Sequence, residues 1–92
     1  MIKSFSHKGL EIFFETSSKA GIIPSHEKRL RLVLLLLNGA SRVEDMNFPG
    51  SGFHGLSGNL AGFCSVKISG NWRLIFRFEG QDAYEVDYVD YH

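Results

Sequence analysis

Trp72-Arg73-Leu74-Ile75-Phe76-Arg77-Phe78, then the turn Gly80-Gln81-Asp82, then Ala83-Tyr84-Glu85-Val86-Asp87-Tyr88-Val89-Asp90 is the stretch that decides the fold. Both runs alternate apolar and polar residues with period two, the pattern of strands with one buried face. A turn this short makes the two strands antiparallel neighbours. The sequence closes on Tyr91-His92 directly after the second strand. These last two side chains are therefore expected to be held against a packed scaffold rather than in a solvated tail. Imidazole is the side chain best suited to move protons near neutral pH, and a terminal carboxylate beside it favours its protonated form.

Working outward, Phe63–Ser69 reads as another strand, joined to the first by Gly70-Asn71, and Phe53–Ser57 as a shorter one ending at Gly58-Asn59. Asn47 to Gly52, with Pro49, Gly50 and Gly52, reads as a loop. Upstream, Lys8 to about Lys19 carries Leu10, Ile12, Phe13 and Phe14 at amphipathic-helix spacing and stops before Gly21. A second helix is expected from Ser25, as N-cap after Pro24, to Leu37 or Asn38, with Gly39 ending it. Glu27 suits its positive end. Leu30, Val33, Leu34 and Leu37 form its core stripe. Arg42 to Met46 suits one further helical turn, and residues 2–6 a short N-terminal strand. The fold class is α+β: an N-terminal strand and two helices packed on one face of an antiparallel sheet, in a single domain spanning residues 1–92.

Leu32, Leu35 and Leu36 extend apolar surface around the second helix beyond what one sheet covers. Deeper burial and a docking surface for a partner chain account for this equally well.

Composition excludes several classes. The one cysteine, Cys64, rules out an internal disulfide framework and fits a reducing, cytoplasmic setting. Met1-Ile2-Lys3-Ser4-Phe5 lacks the apolar core of a signal peptide, and no apolar run reaches the roughly 20 residues of a membrane helix. His7, His26, His54 and His92 lack metal-site spacing, so no metal or other cofactor is expected. There is no G-x-S-x-G elbow, and Gly50-x-Gly52 precedes a strand rather than a helix, so it is no phosphate loop. Cys64 falls on a covered row and reads as core.

Ten basic and ten acidic residues cancel, but unevenly. Phe78 to His92 holds Glu79, Asp82, Glu85, Asp87 and Asp90 with no Lys or Arg, so the remainder carries the balancing positive charge. Alternation places Cys64, Val66 and Ile68, Trp72, Leu74, Phe76 and Phe78, and Tyr84, Val86 and Tyr88 under the helices. The opposite face gathers Lys67, Arg73 and Arg77, with Phe63 and Tyr91 nearby. Cations interleaved with aromatics suit single-stranded nucleic acid: charged groups take phosphates and rings stack on unpaired bases. Solvated decoration of an open face, with Arg77 paired to Glu85 or Asp87, accounts for the same pattern.

Three segments carry a more specific signal: His54-Gly55-Leu56-Ser57-Gly58-Asn59-Leu60-Ala61-Gly62, Asn71-Trp72-Arg73-Leu74-Ile75-Phe76-Arg77-Phe78 and Val86-Asp87-Tyr88-Val89-Asp90-Tyr91-His92. With the opening Met1 to Leu10, they resemble the HigB toxins of the RelE/ParE superfamily, the plasmid-maintenance killer proteins, over essentially the whole length. The resemblance implies the RelE-like microbial RNase fold and a ribosome-dependent, metal-independent endoribonuclease that cuts mRNA in the ribosomal A site. It also implies a helix-turn-helix antitoxin, HigA, forming a heterotetramer with the toxin and contacting operator DNA on the toxin's behalf.

RNA cleavage by 2′-OH attack needs a base, a cation for the developing phosphorane charge and an acid for the leaving 5′-oxygen. His92 is the expected base or acid and Arg73 the phosphate cation, because its planar fork matches phosphate oxygens. Tyr91 is expected to position or stack on a base, and His54 to be a second proton carrier or phosphate contact. Lys67, Arg77, Phe63 and Ser57 complete the expected RNA-binding set.

The chain departs from the family pattern H-P-L-K-G-D, having Ser57 where the lysine stands, and Cys64 where a tryptophan is common. Attenuated cleavage is one expectation, with Lys67 a candidate to compensate from the same face. A toxin-fold protein acting without cleavage, by ribosome binding or as its antitoxin's co-repressor, is the alternative.

Overall fold

In the computed structural model, which describes residues 1–91, the order is α1 (Lys8–Thr16), a 3-10 turn (Pro24–His26), α2 (Glu27–Gly39) and a second 3-10 turn (Val43–Met46). The sheet then follows as β1 (His54–Gly55), a 3-10 turn (Gly58–Leu60), β2 (Phe63–Ser69), β3 (Trp72–Glu79) and β4 (Asp82–Asp90). The four strands lie in the order β1-β2-β3-β4, all antiparallel. The architecture is α+β, as the alternation and the short turns require.

The core forms where the strands' inner rows meet the helices. Leu74, Phe76, Val66 and Val86 are fully buried there with Leu10, Leu30, Val33 and Leu37. The α2 stripe of Leu30, Val33, Leu34 and Leu37 is the buried one, and Leu32, Leu35 and Leu36 remain exposed. That decides against their deeper burial within the domain. Cys64 packs against the core, and burial raises its thiol pKa. Beneath the outer end of β4, Tyr88 hydroxyl and His26 Nδ1 share a buried hydrogen bond at 2.5 Å, with Trp72 packed 4.7 Å from the Tyr88 ring.

Several local expectations need correction. The N-terminal segment is not a continuous strand. Ile2 and Phe5 make two separate parallel bridges to Ala83 and Val86, because β4 bulges between them. Glu85 sits at φ 54° in the left-handed region, and the register of β4 against β3 shifts by one residue there. The bulge keeps Val86 and Tyr88 in the core but turns Tyr84 outward, so Ala83 takes the inner position expected of Tyr84. Tyr84 packs instead under Arg77, whose guanidinium carbon lies 4.9 Å from its ring centre.

Helix α1 stops at Thr16 rather than Lys19, since Ser17 enters the left-handed region at φ 66° and its N–H caps the Phe13 carbonyl. The hydroxyls of Thr16 and Ser18 then take the N–H groups of Ser18 and Ala20, offering the chain a non-helical route. Ser25 is not an N-cap. Pro24 opens a 3-10 turn one residue earlier, so the extended Ile23 precedes it and α2 begins at Glu27. The first sheet strand is His54–Gly55 alone, not Phe53–Ser57.

Candidate functional site

The sheet face away from the helices carries a cleft of about 370 Å³, lined by His54, Gly55, Leu56, Ser57, Ser65, Arg73 and Tyr91. That volume lies at the lower end of the range of ligand pockets, about 300–1,000 Å³. Each wall comes from a different element. β1 presents the exposed His54, and the turn after it supplies Leu56 and Ser57. β2 supplies Ser65, β3 supplies Arg73, and the chain beyond β4 supplies Tyr91. Pairing explains the meeting: His54 stands opposite Ser65. Tyr91 is tied back to the β2–β3 turn by its N–H, which donates to the Asn71 carbonyl at 2.8 Å.

Arg73 is the best-anchored cation of the cleft. Its Nη1 donates to the Gly52 carbonyl at 3.0 Å and to Ser65 Oγ at 3.1 Å. Neither of these two acceptors is ionised, and both bonds come from one nitrogen, which leaves most of the five guanidinium donors for a ligand. Ser65 itself is 1% exposed, so this hydroxyl is a fixed, desolvated anchor. Lys67 stands opposite Arg73 in the β2–β3 register and on the same face. Like charges side by side on a sheet are unfavourable by themselves, and an anionic ligand relieves that repulsion.

Arg77 and Phe63 lie further along the same two strands, opposite each other and outside the cleft lining. Arg77 is engaged already: it donates to Glu85 and Glu79, which raise its pKa further. The pairing with Glu85 is one that the sequence pattern allowed. His92 lies outside the described residues. Among the described residues, no group of three or more His, Cys, Asp and Glu side chains is placed to hold a metal ion.

The structure thus brings together four expected residues, His54, Ser57, Arg73 and Tyr91, with Lys67 beside Arg73. Sequence reasoning missed the Gly52 carbonyl, Gly55 and Leu56. It placed Ser65 on the right face without giving it a role. Alternation was the only signal for Ser65; the Gly52 contact comes from a loop and has no periodic signature.

A small antiparallel sheet with helices on one face, and a cleft lined by Arg73, His54 and Tyr91 on the other, is consistent with the RelE-like fold. Residues 3–92 match the family described as RelE-like toxin of type II toxin-antitoxin system HigB, and the chain belongs to that family. It is 36% identical over 92 residues to Endoribonuclease HigB of Proteus vulgaris, covering 100% of both chains. It is also 36% identical over 94 residues to Toxin HigB-1 of Vibrio cholerae serotype O1, covering 100% of this chain and 98% of that one.

Proposed function

We propose that the chain is a ribosome-dependent mRNA endoribonuclease whose cleavage site is the cleft around Arg73. The observation that carries this reading is the convergence of a guanidinium that no carboxylate meets among the described residues, an imidazole and a phenol at one open cleft: Arg73, His54 and Tyr91. The full-length similarity to a protein named an endoribonuclease supports it.

In this reading the scissile phosphate lies against Arg73, whose remaining N–H groups bind the non-bridging oxygens as they gain charge. Lys67 adds a second positive charge from the neighbouring strand. His54 takes or gives a proton at the 2′-hydroxyl or the 5′-oxygen, and His92 is assigned the complementary role. The Tyr91 ring, 45% exposed, offers a stacking surface for the adjoining base. Ser57 contributes a hydroxyl where the family pattern has a cation, so cleavage is slower than in lysine-bearing relatives. Losing such a charge costs on the order of 10²–10³ in rate where nothing replaces it. A substrate held on the ribosome places the protein in the cytoplasm. Among the described residues no helix is long and apolar enough to cross a membrane.

A type II toxin has a cognate antitoxin. We assign its docking to the exposed face of α2, where Leu32, Leu35 and Leu36 are 48%, 61% and 41% exposed. This face lies across the domain from the cleft, so the antitoxin is bound away from the site. Operator DNA is then reached only through the antitoxin.

Mapping mRNA 5′ ends after induction tests the reading. New ends within translated codons, absent with Arg73→Ala, support it. Growth arrest with intact messages would instead show a toxin that occupies the ribosome without cutting.

A further inference from the structure

Outside the cleft, the half-buried Arg29 of α2 makes a set of contacts that reach from the helix to the loop and to β2. Its Nε and Nη2 both donate to the Lys67 carbonyl, at 3.0 and 2.9 Å, and Nη2 also donates to the Gly50 carbonyl at 2.9 Å. Its guanidinium carbon lies 5.8 Å from the centre of the Phe48 ring. The β2–β3 register shifts between Lys67 and Ser69, and it is at this irregularity that the Lys67 carbonyl meets Arg29.

The contacts continue directly into the cleft. Three successive loop carbonyls are each held by a different donor: Gly50 by Arg29, Ser51 by the Lys67 N–H at 2.8 Å, and Gly52 by Arg73. The Lys67 peptide is gripped on both sides, its N–H by the loop and its carbonyl by Arg29. Gly52, at φ +58°, leaves no slack, since a Cβ there would come within 3.3 Å of the Lys67 Cβ. Arg29 thus holds the loop two residues before the Gly52 carbonyl, which is one of the two acceptors of Arg73.

We infer that Arg29 is a positioning residue for the cleft. Acting from the helix side through the loop at 48–52, it fixes the Arg73 guanidinium and the Lys67 backbone in the geometry that receives the scissile phosphate. This rests on the nuclease reading above, but the placement of Arg73 is measurable without it. A misplacement of about 1 Å in such a group costs up to about a hundredfold in rate.

The test compares wild type with Arg29→Ala and Arg29→Lys. Single-turnover cleavage of ribosome-bound message is measured beside the Arg73 Nε–H resonance in the free protein. Arg29→Ala is expected to slow cleavage by about tenfold to a hundredfold, with half-saturating ribosome concentration within about twofold. Its Arg73 resonance should move toward that of a solvated arginine. Millimolar guanidinium should restore both in Arg29→Ala, whereas Arg29→Lys, which cannot bridge two carbonyls with a planar fork, recovers only part. In a wild type that cuts, an unchanged rate or an unmoved Arg73 resonance overturns the inference. If wild type does not cut, the nuclease reading falls, and the resonance alone decides whether Arg29 holds Arg73.

Discussion

Ser65 Oγ accepts a hydrogen bond from Arg73 Nη1 at 3.1 Å, so a nearly inaccessible serine on β2 aims the principal cation of the cleft on β3. Ser65→Ala deletes that acceptor while leaving the Gly52 carbonyl in place. A hydrogen bond to a charged group contributes about 1.5–3 kcal/mol. The variant should therefore cut more slowly by roughly tenfold to a hundredfold. Its affinity for ribosomes should change far less, because the charge itself remains. Equal losses in rate and binding would show that Ser65 supports the strand rather than the guanidinium.

Arg77 gives the contrasting expectation. Its charge is met by Glu79 and Glu85, and its face by Tyr84. Arg77→Gln should thus reduce cleavage by no more than about threefold, against the near-complete loss expected of Arg73→Ala. Solvent screens ion pairs of this kind, so its melting temperature should fall only slightly. Cleavage rates of the two variants on one message make the comparison. A loss at Arg77 as large as at Arg73 would mean that the RNA path runs along the whole strand.

Ser57→Lys asks whether the cleft lacks a cation. Ser57 lines the cleft, is exposed, and its side chain makes no cap to the turn that follows. A lysine fits there without displacing packed atoms. The expected outcome is faster cleavage, measured as the initial rate on a defined message, with no change in fold by circular dichroism. An unchanged rate would mean that Lys67 already supplies the charge.

The faces of β2 and β3 were legible because strand alternation is a local rule. It put Ser65, Lys67, Arg73 and Arg77 on one side and Val66, Leu74 and Phe76 on the other; the core holds the second set, and the Arg73–Ser65 contact in the cleft agrees with the first. The α2 stripe was legible for the same reason at helical period. Tyr84 was not, because the bulge rests on Glu85 at positive φ, a conformation that glycine or asparagine signals and glutamate does not. The N-terminal segment supports that bulge: Ser4 Oγ accepts the Glu85 N–H at 2.9 Å. Contacts of this kind, between residues 81 apart, leave no periodic trace. The grip of Arg29 on Gly50 and Lys67 is hidden in the same way, since an arginine in a charged helical run reads from sequence as solubility alone. Tyr91 was legible from the strand that leads into it, whereas His54 became visible only through family likeness.

Acid should act on the turn after α2. Asp45 Oδ2 accepts the N–H groups of Ser41 and Arg42, at 3.0 and 3.1 Å, and these hold its carboxyl below the ordinary aspartate value. A depressed folded-state pKa gives stability that is complete above the unfolded value, about pH 4, and is lost as pH falls through the depressed one. Asp45→Asn lacks this titration. Wild type should melt higher than the variant at neutral pH, and the gap should close only below about pH 4. A gap that is constant down to pH 2 would assign the difference to packing rather than to the carboxylate.

The exposed leucines of α2 carry the last expectation. Leu35, with Phe13, Phe14, Leu34 and Arg31, lines a shallow groove of about 120 Å³ between the two helices, and Leu32 and Leu36 are exposed on the same helix outside that lining. Exposed apolar surface of this kind marks a docking site. Replacing Leu32 and Leu36 together by aspartate removes apolar area from the face proposed for the antitoxin and places two uncompensated charges there. Neither side chain is part of the core, so the fold should survive, as melting would show. Co-expression with the cognate antitoxin should then fail to yield the complex, and the double variant should stay toxic in the antitoxin's presence. Arg73→Ala should behave oppositely, copurifying with antitoxin while losing toxicity. If the leucine variant copurifies normally and Arg73→Ala does not, the antitoxin sits over the cleft, and neutralisation is by occlusion of the site itself.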